Sequence, residues 1–409
     1  MTSASSPTLS VIGAGVAGCA LAARLRRLGW PGRIDLWEMG RGAGGRATSR
    51  RSRHDPILKL DHGAPLFNLT GVQPPALLGD LLAGGWIEPW RKPVACLDGD
   101  GRLREAALDP LLRGRLYRGS NGMEELCNGL LTLAGRETRL HPGQLVRQLE
   151  RSATGSWRLL DGQGTCFAES DWLVITGNLL AHPRSAGLLG WPQPPLAVLA
   201  EQLNDPLLRE TVRLLAGIDF EARCNLLAVL QGEAAAPWQA LPFRQLGFTP
   251  SAQERWGLRR LSIQPQADGR CGVVVHSSAA FAAPRLSLVG RGSLAEDLQG
   301  GLPEQRRAER RKQEHALLAE LASALDEALA PWLQPGCLTE AIGSDAEGAA
   351  LMRWGAAFPL EPGLPEEFTV CPHRRIGFCG DLVQGVGFGR LEGSLRSAET
   401  LAERMLGEI

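Results

Sequence analysis

Three glycines, Gly13, Gly15 and Gly18, stand in the spacing GxGxxG within the stretch GAGVAG. Glu38 lies twenty residues beyond Gly18 and opens a second glycine-rich stretch, EMGRGAGGRATSRRSR, in which Gly44, Gly45 and Arg46 are consecutive. A third such stretch, GDLVQGVGFGRLEG, begins at Gly380 and Asp381 and ends at Gly393. Glycine lets the main chain come close to an anion, and the free N–H groups at a helix start can bind it. In the first stretch Gly13 suits a tight turn, Gly15 a close approach to a pyrophosphate, and Gly18 the packing of helix on strand. Val16 and Ala17 sit between them, where their backbone N–H groups open the helix. Glu38 is spaced to accept hydrogen bonds from ribose hydroxyls. The chemistry these spacings indicate is the binding of a dinucleotide.

The elements needed to position these residues are legible. Leu9–Ile12 is a short apolar run, long enough for a buried strand. ALAARLRRLGW follows with Ala17, Leu21, Ala22, Leu25 and Leu28 at helical spacing, and Gly29 ends the helix. Arg33 to Trp37 alternates as a second strand, so a βαβ unit opens at residue 9. Helices are expected over 74–84, 121–133, 205–216 and 303–330, and strands over 87–97, 222–230, 272–277 and 375–379. Between Gln144 and Thr176, QLVRQLE, SWRLL, TCFAE and DWLVIT read as an antiparallel meander. EQRRAERRKQEHALLAEL reads as a solvated amphipathic helix, and 394–405 as a closing helix.

Composition bounds the rest. The chain has 409 residues and a formal net charge of zero, so nothing global points to nucleic acid. Of the 44 basic residues only Lys59, Lys92 and Lys312 are lysines, so chemistry that needs a lysine has three candidates. Nine scattered cysteines without CxxC spacing suit a reducing compartment better than a disulfide framework or a zinc site, and no metal site is expected. The N-terminus lacks a signal-peptide pattern, and the apolar run 9–23 is too short to span a bilayer. The expectation is a soluble, cytoplasmic protein, a monomer or homodimer, with a small-molecule substrate.

The shape acid, short loop, GGR, then T at Glu38, Gly44, Gly45, Arg46 and Thr48 resembles the FAD-binding amine oxidase superfamily. Other stretches resemble it too. They are Asp61-His62-Gly63-Ala64 with Phe67, Asn121-Gly122-Met123, Gly380-Asp381, Arg390-Leu391-Glu392-Gly393, and Arg353-Trp354 followed by Phe358-Pro359. Together they resemble the renalase-like branch, closely over 1–70 and 370–409, moderately over 115–178 and loosely over 180–369. The resemblance implies an α/β fold: a Rossmann-type FAD-binding domain with an antiparallel meander, plus a discontinuous α+β substrate domain. It implies FAD binding by 1–70, 115–178 and 370–409, and a substrate domain from 71–114 and 179–369. It further implies Arg46 near the phosphate or flavin, Val146 on an adenine-side strand, Asp381 on the ribityl chain, and the last helix facing the flavin. FAD would be held non-covalently, with Cys379 packed beneath the loop.

Superfamily amine oxidases typically use a lysine near flavin N5 and an aromatic cage. None of the three lysines here lies in a plausible substrate strand, which disfavours ordinary amine oxidation. The resemblance points to hydride transfer from a small reduced ring or amine-like substrate, a dihydronicotinamide isomer or NAD(P)H-type donor among them, with electrons passed to oxygen or another acceptor. His62, His276 and Arg353 are the candidate pocket groups, a histidine serving as proton acceptor near neutral pH. Two alternatives stay open: oxidation of a larger apolar molecule, and a non-catalytic flavin-binding regulatory protein.

Overall fold

The computed structural model describes residues 6–51, 55, 57–285, 304–344 and 349–408. Arg53 and Pro303, expected in a solvated loop and at a helix start, lie outside them. The βαβ unit forms as expected. Its strands, Leu9–Ile12 and Ile34–Glu38, belong to a six-stranded sheet ordered Thr138–Pro142, Ile34–Glu38, Leu9–Ile12, Trp172–Ile175, Ile376–Phe378, Val370–Cys371. All pairs are parallel except the last. The central strands are buried on both faces, which is why they read as unbroken apolar runs. Trp172 and Val174 face a core shared with the helices Val16–Arg27, Glu124–Ala134 and Leu391–Leu406. Leu173 and Ile175 face the opposite core, under the three-stranded meander Gln148–Arg151, Trp157–Leu160, Cys166–Ser170.

A second unit is α+β. Its seven-stranded sheet is ordered Ala349–Pro359, Phe220–Leu230, Cys271–Ser277, Leu258–Pro265, Gln245–Phe248, Val94–Leu97, Leu103–Arg104. Alternate residues of its strands, such as Cys224, Leu226, Leu261 and Val275, pack on Leu317, Leu321 and Leu325 of the Glu304–Ala328 helix. The charged residues of that helix therefore ride on one apolar stripe. The other face of the sheet carries Arg223, Asn225, Arg260 and His276 toward the first unit.

Several expectations are corrected. DWLVIT is not a meander strand, because Trp172–Ile175 is buried on both sides and joins the parallel sheet. Thr138–Pro142 and the eleven-residue strand Ala349–Pro359 were not foreseen. Residues 71–89 and 179–218, expected with the substrate part, pack on the first unit. Leu77, Leu81 and Ile87 join the core of Leu21, and Leu180, Leu196 and Leu208 join that of Phe378. The sheet face that carries Leu226 and Val275 is already covered by the Glu304–Ala328 helix.

Asp205 holds this packing together. It caps the Pro206–Ala216 helix by accepting from Leu208 N at 2.9 Å, and it pairs with His373 and with Arg374 Nε at 2.8 Å. Burial raises its pKa, but these donors outweigh it and bring the carboxyl down to about 2. The stabilisation is complete above the ordinary aspartate range near pH 4 and is lost as pH falls toward 2. We expect Asp205→Ala to cost about 2 kcal/mol at neutral pH. In thermal melts between pH 4 and pH 2, Asp205→Asn should fall less steeply than the wild type.

Candidate functional site

The first glycine turn is built as its spacing predicts. Gly13 has φ +100° and donates to Trp37 O at 2.8 Å. A Cβ on Gly18 would fall 2.1 Å from Gly13 O, so this contact requires glycine. A Cβ on Gly15 would meet nothing within 4 Å, because Gly15, Val16 and Ala17 line a cavity of about 250 Å³. Gly15 caps the Val16–Arg27 helix without a side chain, so the helix start opens on that space. Glu38 clamps the turn by accepting from Ala14 N at 2.9 Å and Gly40 N at 2.6 Å.

The second glycine loop lies on the first. Gly44 donates to Ala14 O at 2.9 Å and bridges Gly15. Gly44, Gly45 and Arg46 all line the cavity. Arg46 makes a two-pronged pair with Asp381, at 2.7 and 2.6 Å, and donates to Ala357 O at 2.8 Å. Gly63, Ala64, Gly380, Asp381 and Arg390 are on the same wall. The Leu391–Leu406 helix also begins there, again without a side-chain cap, so a second positive helix end meets the cavity. An adjoining cavity of about 270 Å³ shares Arg46, Trp354 and Asp381 and adds Arg184, whose pKa is brought down to about 10 by burial and by Arg46.

Four residues expected to touch a cofactor have other work. Asp61 accepts from Ser49 Oγ at 2.6 Å and Met123 N at 2.8 Å, pinning the loop to the Asn121-Gly122-Met123 turn; burial pushes its carboxyl up. Val146 buries its side chain in the core beside Trp157 and Leu173. Glu392 is fully buried and accepts from Thr70 N, Thr70 Oγ1 and Gly71 N, each at 2.9 Å. A Cβ on Gly393 would fall 2.4 Å from Gly387 O, so Gly393 serves loop packing.

The three candidate pocket groups part company. His276 lines the cavity; burial, then Arg260 and Arg223, hold its pKa well below the usual value. His62 stacks on the cavity-lining Trp354 with centroids 5.6 Å apart, and burial and Arg50 lower its pKa to about 4. Burial and neighbouring arginines thus lower both imidazoles, and of the two only His276 lines the cavity. Arg353 lines neither cavity. It lies in register with Cys224, whose side chain is in the core, while its neighbour Trp354 takes the cavity side.

Sequence reasoning missed Arg223, Arg259 and Arg260. Between Leu258 and Arg260 the strand register shifts, so that two residues oppose one on the neighbouring strand. Leu258 and Leu261 point into the core, and both arginines point to the cavity. Arg259 forks onto Asp109 at 2.9 and 2.7 Å, and Arg260 Nη2 lies 3.7 Å from the same carboxylate. Asp109 fits because Gly247, the register partner of Arg260, has no side chain; a Cβ there would fall 2.6 Å from Oδ2. The doubled arginine in LRRLSIQP, breaking an apolar alternation, was the available signal.

Residues 11–80 match the family described as NAD(P)-binding Rossmann-like domain. No curated protein matches the chain in sequence. Among solved structures, the chain is similar to a candidate protoporphyrinogen oxidase from Exiguobacterium sp. 255-15, with TM-score 0.59, 13% identity, and 99% and 100% of the two chains covered. It is similar to cyclohexylamine oxidase from Brevibacterium oxydans IH-35A, with TM-score 0.59, 14% identity, and 98% and 99% covered. A triple mutant of putrescine oxidase matches with TM-score 0.59, 12% identity, and 98% and 99% covered. Over nearly its whole length, the chain has the fold of these oxidases, with a Rossmann-like glycine turn near its start.

Proposed function

We propose that the chain is a renalase-like FAD-dependent oxidoreductase that oxidises a small reduced ring or amine-like substrate. The supporting observation is the single cavity running from the Gly15 turn, past two uncapped helix starts, to a wall formed by Trp354, His276 and three arginines. Its glycine end fits a diphosphate: Gly15 leaves open space, and the N–H groups of Val16 and Ala17 face it. FAD supplies a hydride acceptor at N5 when bound. In this reading Arg46 and Asp381 hold the middle of the cofactor. The start of the last helix favours negative charge on the ring, and the seven-stranded sheet presents the substrate.

The donor side follows from what lines that sheet. None of the three lysines reaches the cavity; Lys59 pairs instead with Glu124 at 3.3 Å. This weighs against the usual lysine-assisted amine chemistry. The arginine-bearing wall also weighs against a wholly apolar substrate. Dihydronicotinamide isomers are the first donors to test, with oxygen among the acceptors.

Purified protein should be yellow. Anaerobic stopped-flow mixing with dihydronicotinamide isomers should bleach the flavin, and no bleaching beyond the buffer rate with any isomer would remove the donor class. Gly15→Val should remain folded by circular dichroism, since its side chain has room, yet lose at least ten-fold in FAD affinity because it fills the diphosphate cradle. Because burial and neighbouring arginines hold both imidazoles below their ordinary range, bleaching rates should show no inflection near pH 6.5, and His276→Gln should leave the shape of the profile unchanged.

A further inference from the structure

On the proposed reading that a flavin fills the glycine-lined part of the cavity, we propose that the opposite end is an oxyanion site, binding a carboxylate or phosphate carried by the substrate. Arg260, His276 and Asn225 stand in one row across three adjacent strands, and Arg223 lies two residues before Asn225 on the same face. Arg223 and Arg260 are each only 5% exposed. Two carboxylates serve the three guanidiniums: Asp109 is forked by Arg259, and Glu221 pairs with Arg223. Asp381, which also lines the cavity, is occupied by Arg46. Three positive groups against two negative ones leave one charge over, with His276 neutral beside them.

The residues that carry the remaining donors, Arg223, Arg260 and His276, all line the cavity. Arg260 Nε and Nη2, Arg223 Nε and His276 Nε2 are buried without a hydrogen-bond partner. Arg260 Nη2 lies 3.7 Å from Asp109, too far to bond. A buried guanidinium with free donors and no full counter-charge is costly unless a ligand completes it. The planar fork of arginine suits the two oxygens of a carboxylate or phosphate. The cofactor's own diphosphate has its place at the far end, on the Gly15 turn.

The test uses the purified protein with FAD bound. Malonate and inorganic phosphate are titrated separately, following the flavin absorbance spectrum and the melting temperature, with malonamide as the uncharged control. We expect one of the two anions to perturb the spectrum and raise the melting temperature, and malonamide to do neither. Which anion acts distinguishes a carboxylate from a phosphate substrate. Arg260→Gln leaves Asp109 paired with Arg259 and should weaken anion binding at least ten-fold while keeping FAD absorbance. Arg223→Gln provides the same reading should Arg260→Gln fail to fold. FAD bound with no effect of either anion, or variant affinities within two-fold of wild type, would overturn the anion site alone. A colourless protein whose melting temperature still rises with anion, and not in Arg260→Gln, would support the site and remove the flavin reading.

Discussion

One guanidinium joins three distant parts of the chain. Arg46, on the second glycine loop, forks onto Asp381 near the C-terminus and reaches Ala357 on the edge strand of the seven-stranded sheet. The fork fixes direction as well as distance, which a lysine ammonium would not. Through it the first sheet, the late glycine loop and the second sheet meet along the cavity. The loop carrying Arg46 is itself held by Gly44 against Ala14, and by Ala64 N on Arg46 O at 2.9 Å. The site is thus a seam between two sheets, closed from the side by a glycine-rich loop whose Arg46 side chain spans it.

Much of this seam was legible because local backbone rules govern it. A strand, a turn that requires glycine and a helix start leave a fixed spacing in the sequence, and Gly13 to Gly18 kept it. Gly380 and Asp381 follow a strand and precede the last helix, so their position was equally local. What escaped depends on partners far along the chain. Glu392 sits in a stretch resembling a cofactor motif, yet its carboxylate is taken by Thr70 and Gly71, some 320 residues away. The polar edge strand Thr138–Pro142 shows no apolar alternation to read. In Ala349–Pro359 the side of the sheet that each residue takes could not be known before the strand was recognised, so Arg353 was chosen and Trp354 was the residue facing the cavity.

The two ends of the cavity handle charge differently. At the glycine end positive potential comes from helix starts and backbone N–H groups, which carry no side-chain entropy and cannot titrate. At the sheet end it comes from arginines whose charge is fixed and partly compensated by Asp109 and Glu221. Burial lowers the pKa of His276, with Arg260 and Arg223 adding to it, and lowers that of His62, with Arg50 adding to it. The charge of the sheet end thus rests on its arginines rather than on its histidines.

The bulge at Arg259 sets this arrangement by counting. One residue fewer between Leu258 and Leu261 would restore strict alternation through the strand. Residues on one side of the deletion would then exchange faces, sending an arginine toward the Glu304–Ala328 helix or a leucine toward the cavity. Such a chain would keep nearly the same composition and lose both its core and its charged wall. Length variation at this point in a relative would therefore mark a change in what the pocket accepts more sharply than any single substitution around it.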